Sequence, residues 1–280
     1  MRLGVHIGIA KGLESAVDRA RRIGCEAIQI FSSNPNAWRI SPLDPKTVDG
    51  FRTAVAAAEI YPISLHTPYL LNLASSKDTI WTQSWENLAS ALQRATTLGA
   101  SYVVTHIGSH GGDGFDAGAD RIKQAVSKAL DHASNTAIVL LEAGSGAGNT
   151  VGSTFEELAA ILERFDRHRN RVGVCLDTAH LWGAGYDISS AEGVEKTLTD
   201  FGRLVGITNL QLFHLNDTQK LLGSHLDRHW HIGQGNIGDA GFSALVNHPA
   251  LSDIAGIIET PEMELGRDVE NLDTLKRLRR

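Results

Sequence analysis

RVGVCLD, residues 171–177, is a short apolar run that stops on a carboxylate, Asp177. A brief Val- and Leu-rich run of this kind reads as a strand buried on both faces of a parallel sheet. The same reading, carried outward, finds strands at 3–7 (LGVHI), 26–31 (EAIQIF), 61–66 (YPISLH), 101–106 (SYVVTH), 137–142 (AIVLLE), 209–215 (NLQLFHL) and 255–259 (AGIIE). Helical spacing fills 12–24, 45–59, 81–99, 117–133, 154–165, 190–202, 239–247 and 268–279. Alternating strands and helices imply βαβ units. Eight such units in 280 residues predict the α/β class and a (β/α)8 TIM barrel, one domain over residues 1–280. A doubly wound open sheet is the alternative.

Asp177 is one of six. His66, His106, Glu142, His214 and Glu259 also fall at strand ends, each after an apolar run. One histidine at a strand end is most often an ordinary polar residue. Six ionisable tips in succession are different, because a barrel brings strand ends together at its catalytic face. Three carboxylates cannot sit together ionised without cations, and no lysine ends these strands. Imidazole and carboxylate suit Zn²⁺ or Mn²⁺. Just past the tips, Asp177-x-x-His180 and Asp227-x-His229 add donors, since alternate residues of an extended segment point the same way. Nine ligands exceed one four-coordinate ion and suit two or three, with carboxylates bridging.

The remaining signals are plainer. His6 reads as a residue behind the metal ligands; His110 and His231 flank ligand positions and are candidates either for a place behind the ligands or for substrate contact. His225 is a weaker case, and His132, His168 and His248 read as surface. Glycine-rich stretches at 108–118 and 142–154, with the long connection 216–238, follow strands and line one rim. GSGAG (144–148) matches neither the dinucleotide fingerprint nor the P-loop, so no organic cofactor is expected. The formal net charge of −6 argues against a nucleic-acid partner when taken alone, but three divalent cations would offset it. Cys25 and Cys175, the only cysteines, sit in apolar runs and read as buried thiols in a reducing compartment, the cytoplasm. No apolar run is long enough for a membrane span. LKRLRR (275–280) reads as a basic last helical turn complementing the helix dipole.

Longer motifs point to a family. HTPYLLNLAS (66–75), LLEAGSGAG (140–148), LDTAHLWGAGYD (176–187), HLNDTQKLLGSHLDRHWHIGQGNIG (214–238) and IIETP (257–261) together resemble the endonuclease IV family of apurinic/apyrimidinic endonucleases. The resemblance runs from the first strand to the last helix. It implies three zinc ions, with Mn²⁺ or Fe²⁺ as substitutes in part, beneath a crescent of DNA-binding loops. By that resemblance His66 and His106 hold one ion, with Glu142 bridging to a second completed by Asp177, His214 and Glu259. His180, Asp227 and His229 hold the third. Tyr69 matches a residue the family inserts near the abasic nucleotide. Asn36, Trp38, Arg39, Trp182 and His231 are further candidates for DNA contact.

The chain also departs from the family pattern. FSSNPNAW (31–38) places Asn36 where the family commonly has an arginine entering the DNA groove. Ala147 stands where the family has a glutamine, and HIGSH (106–110) replaces HPGSH. None of these removes a ligand. The resemblance implies hydrolysis of the phosphodiester 5' to an abasic site in damaged duplex DNA, leaving a 3'-hydroxyl and a 5'-deoxyribose phosphate, and trimming of blocked 3' ends. It implies a monomer. Glu259, Glu142 and Asp177 are the expected catalytic carboxylates. A divalent-metal sugar isomerase or epimerase and a non-catalytic damaged-DNA binding module are the alternatives.

Overall fold

The computed structural model describes residues 1–133 and 136–280. Its strands are β1 (Arg2–His6), β2 (Ala27–Phe31), β3 (Ile63–His66), β4 (Tyr102–His106), β5 (Ile138–Glu142), β6 (Val172–Asp177), β7 (Leu210–His214) and β8 (Ala255–Ile258). All pair parallel in sequence order and close into one barrel. The helices are α1 (Leu13–Ile23), α2 (Pro45–Ala58), α3 (Asp78–Leu98), α4 (Phe115–His132), α5 (Phe155–Glu163), α6 (Thr178–Ala184), α7 (Ala191–Leu204), α8 (Gly238–Val246) and α9 (Arg267–Leu278). The architecture is a (β/α)8 TIM barrel, and the open sheet is excluded.

Two details differ from the sequence reading. β8 ends at Ile258, so Glu259 is the first residue past the strand. The sequence pattern predicts no helix over 178–184, and that segment forms α6 directly off β6. Asp177 supplies the reason: its Oδ1 accepts from the backbone N–H of Ala179 and His180, which nucleates the turn.

Strand parity decides what faces the axis. Ala27, Val104, Leu140, Cys175, Leu212, Ala255 and Ile257 fill the barrel interior. Two residues on from Val104, Leu140, Cys175, Leu212 and Ile257 stand His106, Glu142, Asp177, His214 and Glu259, on the same inward face. Register keeps them level. His106 pairs with Glu142 and Asp177 with His214. His66 pairs with Val104, Glu142 with Cys175 and His214 with Ile257, each two residues short of the next ligand. Every step is thus none or two residues, which gives the stagger that closure requires. An odd step would turn a ligand outward. The second core, between barrel and helices, is built from such residues as Leu3, Leu65, Phe155, Phe201 and Phe213.

Candidate metal centre

Three groups of donors meet at the top of the barrel. His66, His106 and Glu142 form the first; Glu142, Asp177, His214 and Glu259 the second; Asp177, His180 and His229 the third. Within each, the donor atoms lie within 4.8 Å of one another. Glu142 belongs to two groups because its oxygens diverge. Oε2 lies 3.2 Å from Nε2 of His66 and 3.4 Å from Nε2 of His106, while Oε1 lies 2.9 Å from Nδ1 of His214. Glu259 Oε2 is 3.2 Å from that same His214 nitrogen.

Asp177 is also shared. Its Oδ2 is 3.5 Å from Nε2 of His229 and accepts from Nδ2 of Asn216 at 2.7 Å. Asp227 stands at the mouth, with its side chain 48% exposed, 3.2 Å from Nε2 of His180 and 3.3 Å from Nε2 of His229. The third group therefore has a carboxylate from below as well as one from above. Its arm, the connection 216–238, is held by Asp217, whose buried carboxylate accepts from the backbone N–H of Thr218, Gly235, Ile237 and Gly238.

The imidazoles are aimed from behind. His66 Nδ1 donates to the carbonyl of Thr67, His180 Nδ1 to that of Ala143 and His229 Nδ1 to that of Glu259. Each leaves Nε2 turned to the centre, the arrangement expected of metal-ligating histidines. His6 Nδ1 lies 2.7 Å from Glu259 Oε1, so His6 sits behind a ligand rather than among them.

The donor set fits divalent metal. Among the described residues, the ion pairs of Glu142, Asp177, Asp227 and Glu259 are all with histidines. Buried carboxylates without a fixed cation are costly, and here the imidazoles supply the charge. Burial pushes His229 down, but Asp177 and Asp227 outweigh it and raise it to about 9. His180 is likewise raised well above the usual histidine range, against its burial, by Asp177, Asp227 and Glu142, and His214 by Cys175 first and then by Glu259 and Glu142. In the reverse sense burial would raise Glu142 and Glu259, yet the neighbouring histidines hold both below the usual carboxylate range. His229 Nε2 is buried without a hydrogen-bond partner while facing two carboxylates. A divalent ion would satisfy all of these atoms at once.

Comparison with known proteins decides the lineage. The chain is 43% identical over 278 residues to the probable endonuclease 4 of Natranaerobius thermophilus, covering 99% of this chain and 98% of the relative. It is 40% identical to that of Halothermothrix orenii, covering 99% and 100%. The chain belongs to the endonuclease IV family. The crystal structure of endonuclease IV from Thermus thermophilus superimposes with a TM-score of 0.89 at 36% identity, covering 99% of this chain and 98% of that one. A family model described as xylose isomerase-like TIM barrel matches residues 17–280. A D-tagatose 3-epimerase-like protein, 22% identical with a TM-score of 0.75 over 99% of this chain and 97% of its own, shares the fold. Of the nine donors expected from the sequence, eight lie in the three groups and the ninth, Asp227, lies beside His180 and His229.

The expected DNA contacts divide. Tyr69 is 58% exposed, with its ring about edge-on to His106 and 5.9 Å away, above the first group. Burial, then Glu259 and Glu142, push its hydroxyl up to about 12, so it stays protonated. Asn36 and Arg39 are exposed on the loop after β2, and Trp38 is half-buried against the core with its carbonyl taken by Asn87. Trp182 and His231 need correction as rim contacts. Trp182 is 7% exposed and its indole donates to the carbonyl of Lys220, so it props the 216–238 connection from beneath. His231 is buried against Asn271 and Glu262, away from the rim surface. His110 Nδ1 accepts from the N–H of Gly112 and Gly114 and shapes its own loop.

Sequence reading missed two polar residues. Asn216 bridges Asp177 and Glu259, accepting from the N–H of Glu259 at 2.9 Å. Gln29 touches both His214 and Glu259. Its signal was present: Gln29 is the lone polar residue inside the apolar stretch of EAIQIF, two on from inward-facing Ala27.

Proposed function

We propose that this chain is a metal-dependent hydrolase that cuts the phosphodiester 5' to abasic sites in duplex DNA and trims blocked 3' ends. The observation that carries the reading is the set of three adjoining donor groups joined by Glu142 and Asp177, in a chain of the endonuclease IV family. When bound there, zinc or a similar divalent ion supplies Lewis acidity toward a phosphate and makes water a nucleophile at neutral pH.

The chain's own residues do the rest. His66, His106 and Glu142 would hold one ion, Glu142, Asp177, His214 and Glu259 a second, and His180, Asp227 and His229 a third, with Asp177 within reach of it. Glu259 is restrained from behind by His6 and from the side by Gln29, so its free oxygen keeps one orientation. Half-exposed Asp227 leaves the site open at the mouth. A phosphate could therefore approach the buried donors without a loop moving. Tyr69 offers an apolar face with a proton to donate, suited to the gap a missing base leaves.

The test is a duplex carrying one reduced abasic analogue, which cannot break by β-elimination. Metal-loaded protein should incise once, 5' to the analogue. Chelated protein and Glu259→Gln should leave it whole. Intact DNA at saturating, metal-loaded protein would reject the reading; epimerisation of a ketose by the same preparation would move the assignment to the sugar-isomerising relatives of the fold, and tight binding without turnover to a damage-binding module.

A further inference from the structure

Six strands of the barrel, β3 to β8, carry or lead directly into the donors; the other two contribute His6 and Gln29 at the same level, paired in register. Gln29 is fully buried. Its Oε1 lies 3.1 Å from Nε2 of His214 and 3.3 Å from the hydroxyl of Ser64. Its Nε2 donates to Oε1 of Glu259 at 2.6 Å and lies 3.0 Å from Nδ1 of His6.

These contacts allow one arrangement of protons. Oε1 of Glu259 receives both Gln29 and, at 2.7 Å, His6 Nδ1. A carboxylate has no proton to give, so both partners must donate. Turning the amide over would set two oxygens 2.6 Å apart. With its NH₂ committed to Glu259, Gln29 can offer only its oxygen to His214. Nε2 of His214 therefore carries the hydrogen. Nδ1, the nitrogen facing Glu142 and Glu259, keeps its lone pair toward the donor group once a cation takes the place of a proton there.

His214 differs in this from its neighbours. His66, His180 and His229 are oriented by main-chain carbonyls, which no substitution removes. The ring of His214 is oriented by a side chain, with the Cys175 thiol, a weak partner, beside it. One layer down, Ala27, Val104 and Leu140 fill the barrel without polar atoms. An amide at Gln29 must recover its desolvation cost through hydrogen bonds, and those bonds go to two donors of one group.

We propose that Gln29 is a positioning residue of the metal centre: it selects the tautomer of His214 and restrains Glu259, so that both donors of the second group are set by one side chain. This rests on the reading of that group as a metal site. Gln29→Met keeps the length of the side chain and removes both bonds. Gln29→Glu keeps an acceptor for His214 and opposes Glu259 with a like charge.

The experiment is zinc uptake measured by chelator competition, together with ¹⁵N–¹H spectra of histidine-labelled, zinc-loaded protein. In the wild type, His214 should appear with hydrogen on Nε2. Gln29→Met and Gln29→Glu should each bind one zinc about 10- to 100-fold more weakly, with the His214 signal altered and those of His66 and His180 in place. Wild-type zinc affinity in both variants, or hydrogen on Nδ1 of His214 in the wild type, would overturn the role while leaving the metal centre intact. The tautomer arm needs no variant to fold. A wild-type chain that takes up no zinc would overturn the metal reading and the role of Gln29 with it.

Discussion

The carboxylate of Asp177 caps the helix that carries His180: Oδ1 accepts the backbone N–H of His180 at 3.0 Å. The other oxygen, Oδ2, faces the donor groups. One residue therefore starts α6 and helps charge the centre beside it. Asp177→Asn keeps an oxygen for the cap and loses the charge; Asp177→Ala loses both. Asp177→Asn keeps the cap but turns its NH₂ toward Nδ2 of Asn216, so it should fold less stably than the wild type and bind less metal. Asp177→Ala should lose about 1–2 kcal/mol more, the usual worth of a cap. Thermal unfolding of the two metal-free variants checks this, and equal midpoints would reject the cap as a stabilising contact.

Metal removal should lower stability. Glu142, Asp177 and Glu259 lie together with little or no exposure. Ions that bind the folded chain stabilise it by mass action, and a hundredfold excess over the dissociation constant contributes about 2.7 kcal/mol per site. Calorimetry before chelation, after it, and after zinc is restored should show the midpoint fall and return. A midpoint indifferent to verified loss of metal would count against any structural share for the ions.

Tyr69→Ala should separate DNA recognition from metal binding. The ring stands exposed over the first group and has no hydrogen bond to a donor atom among the described residues. Zinc content should stay at the wild-type value. Affinity for duplex carrying an abasic analogue should fall about 10- to 100-fold, the worth of one stacked aromatic. Loss of zinc in this variant would show instead that Tyr69 supports the histidines.

Glu26 ties the two ends of the chain together. Its carboxylate accepts from Nη1 and Nη2 of Arg279 at 2.6 and 2.8 Å and from the N–H of Leu3 at 2.8 Å. Burial alone would raise its pKa, but Arg279 and the Leu3 amide prevail and lower it. A depressed carboxylate stabilises the fold above its unfolded pKa, about 4.3, and loses that contribution as pH falls through the folded value. The side chain is 39% exposed, so screening keeps the effect below about 1 kcal/mol. Stability curves of wild type and Glu26→Gln should therefore differ at pH 7 and draw together as pH falls below the unfolded pKa. A gap that does not narrow on acidification would assign the effect to packing.

The barrel and the list of donors were legible in the chain itself. Apolar runs of strand length, six of them ending on or beside a His, Asp or Glu donor, are a local pattern, and the closing of parallel strands makes those ends meet. Residue type carried the chemistry, since imidazole and carboxylate without lysine leave metal as the simplest cation. Tertiary structure decided the rest. The register steps of none or two residues, which put His66, Glu142 and His214 on one face, follow from closure and from no single strand. Asp177 reaches two donor groups only because α6 turns immediately after it. Trp182 and His231 look like rim residues in the sequence and are buried because the 216–238 connection folds over one and Asn271 of α9 packs on the other. Gln29 shows the division most clearly. Its place in EAIQIF was visible, but a buried amide acquires a role from what surrounds it, and strands 7 and 8 bring His214 and Glu259 to it from nearly the far end of the chain.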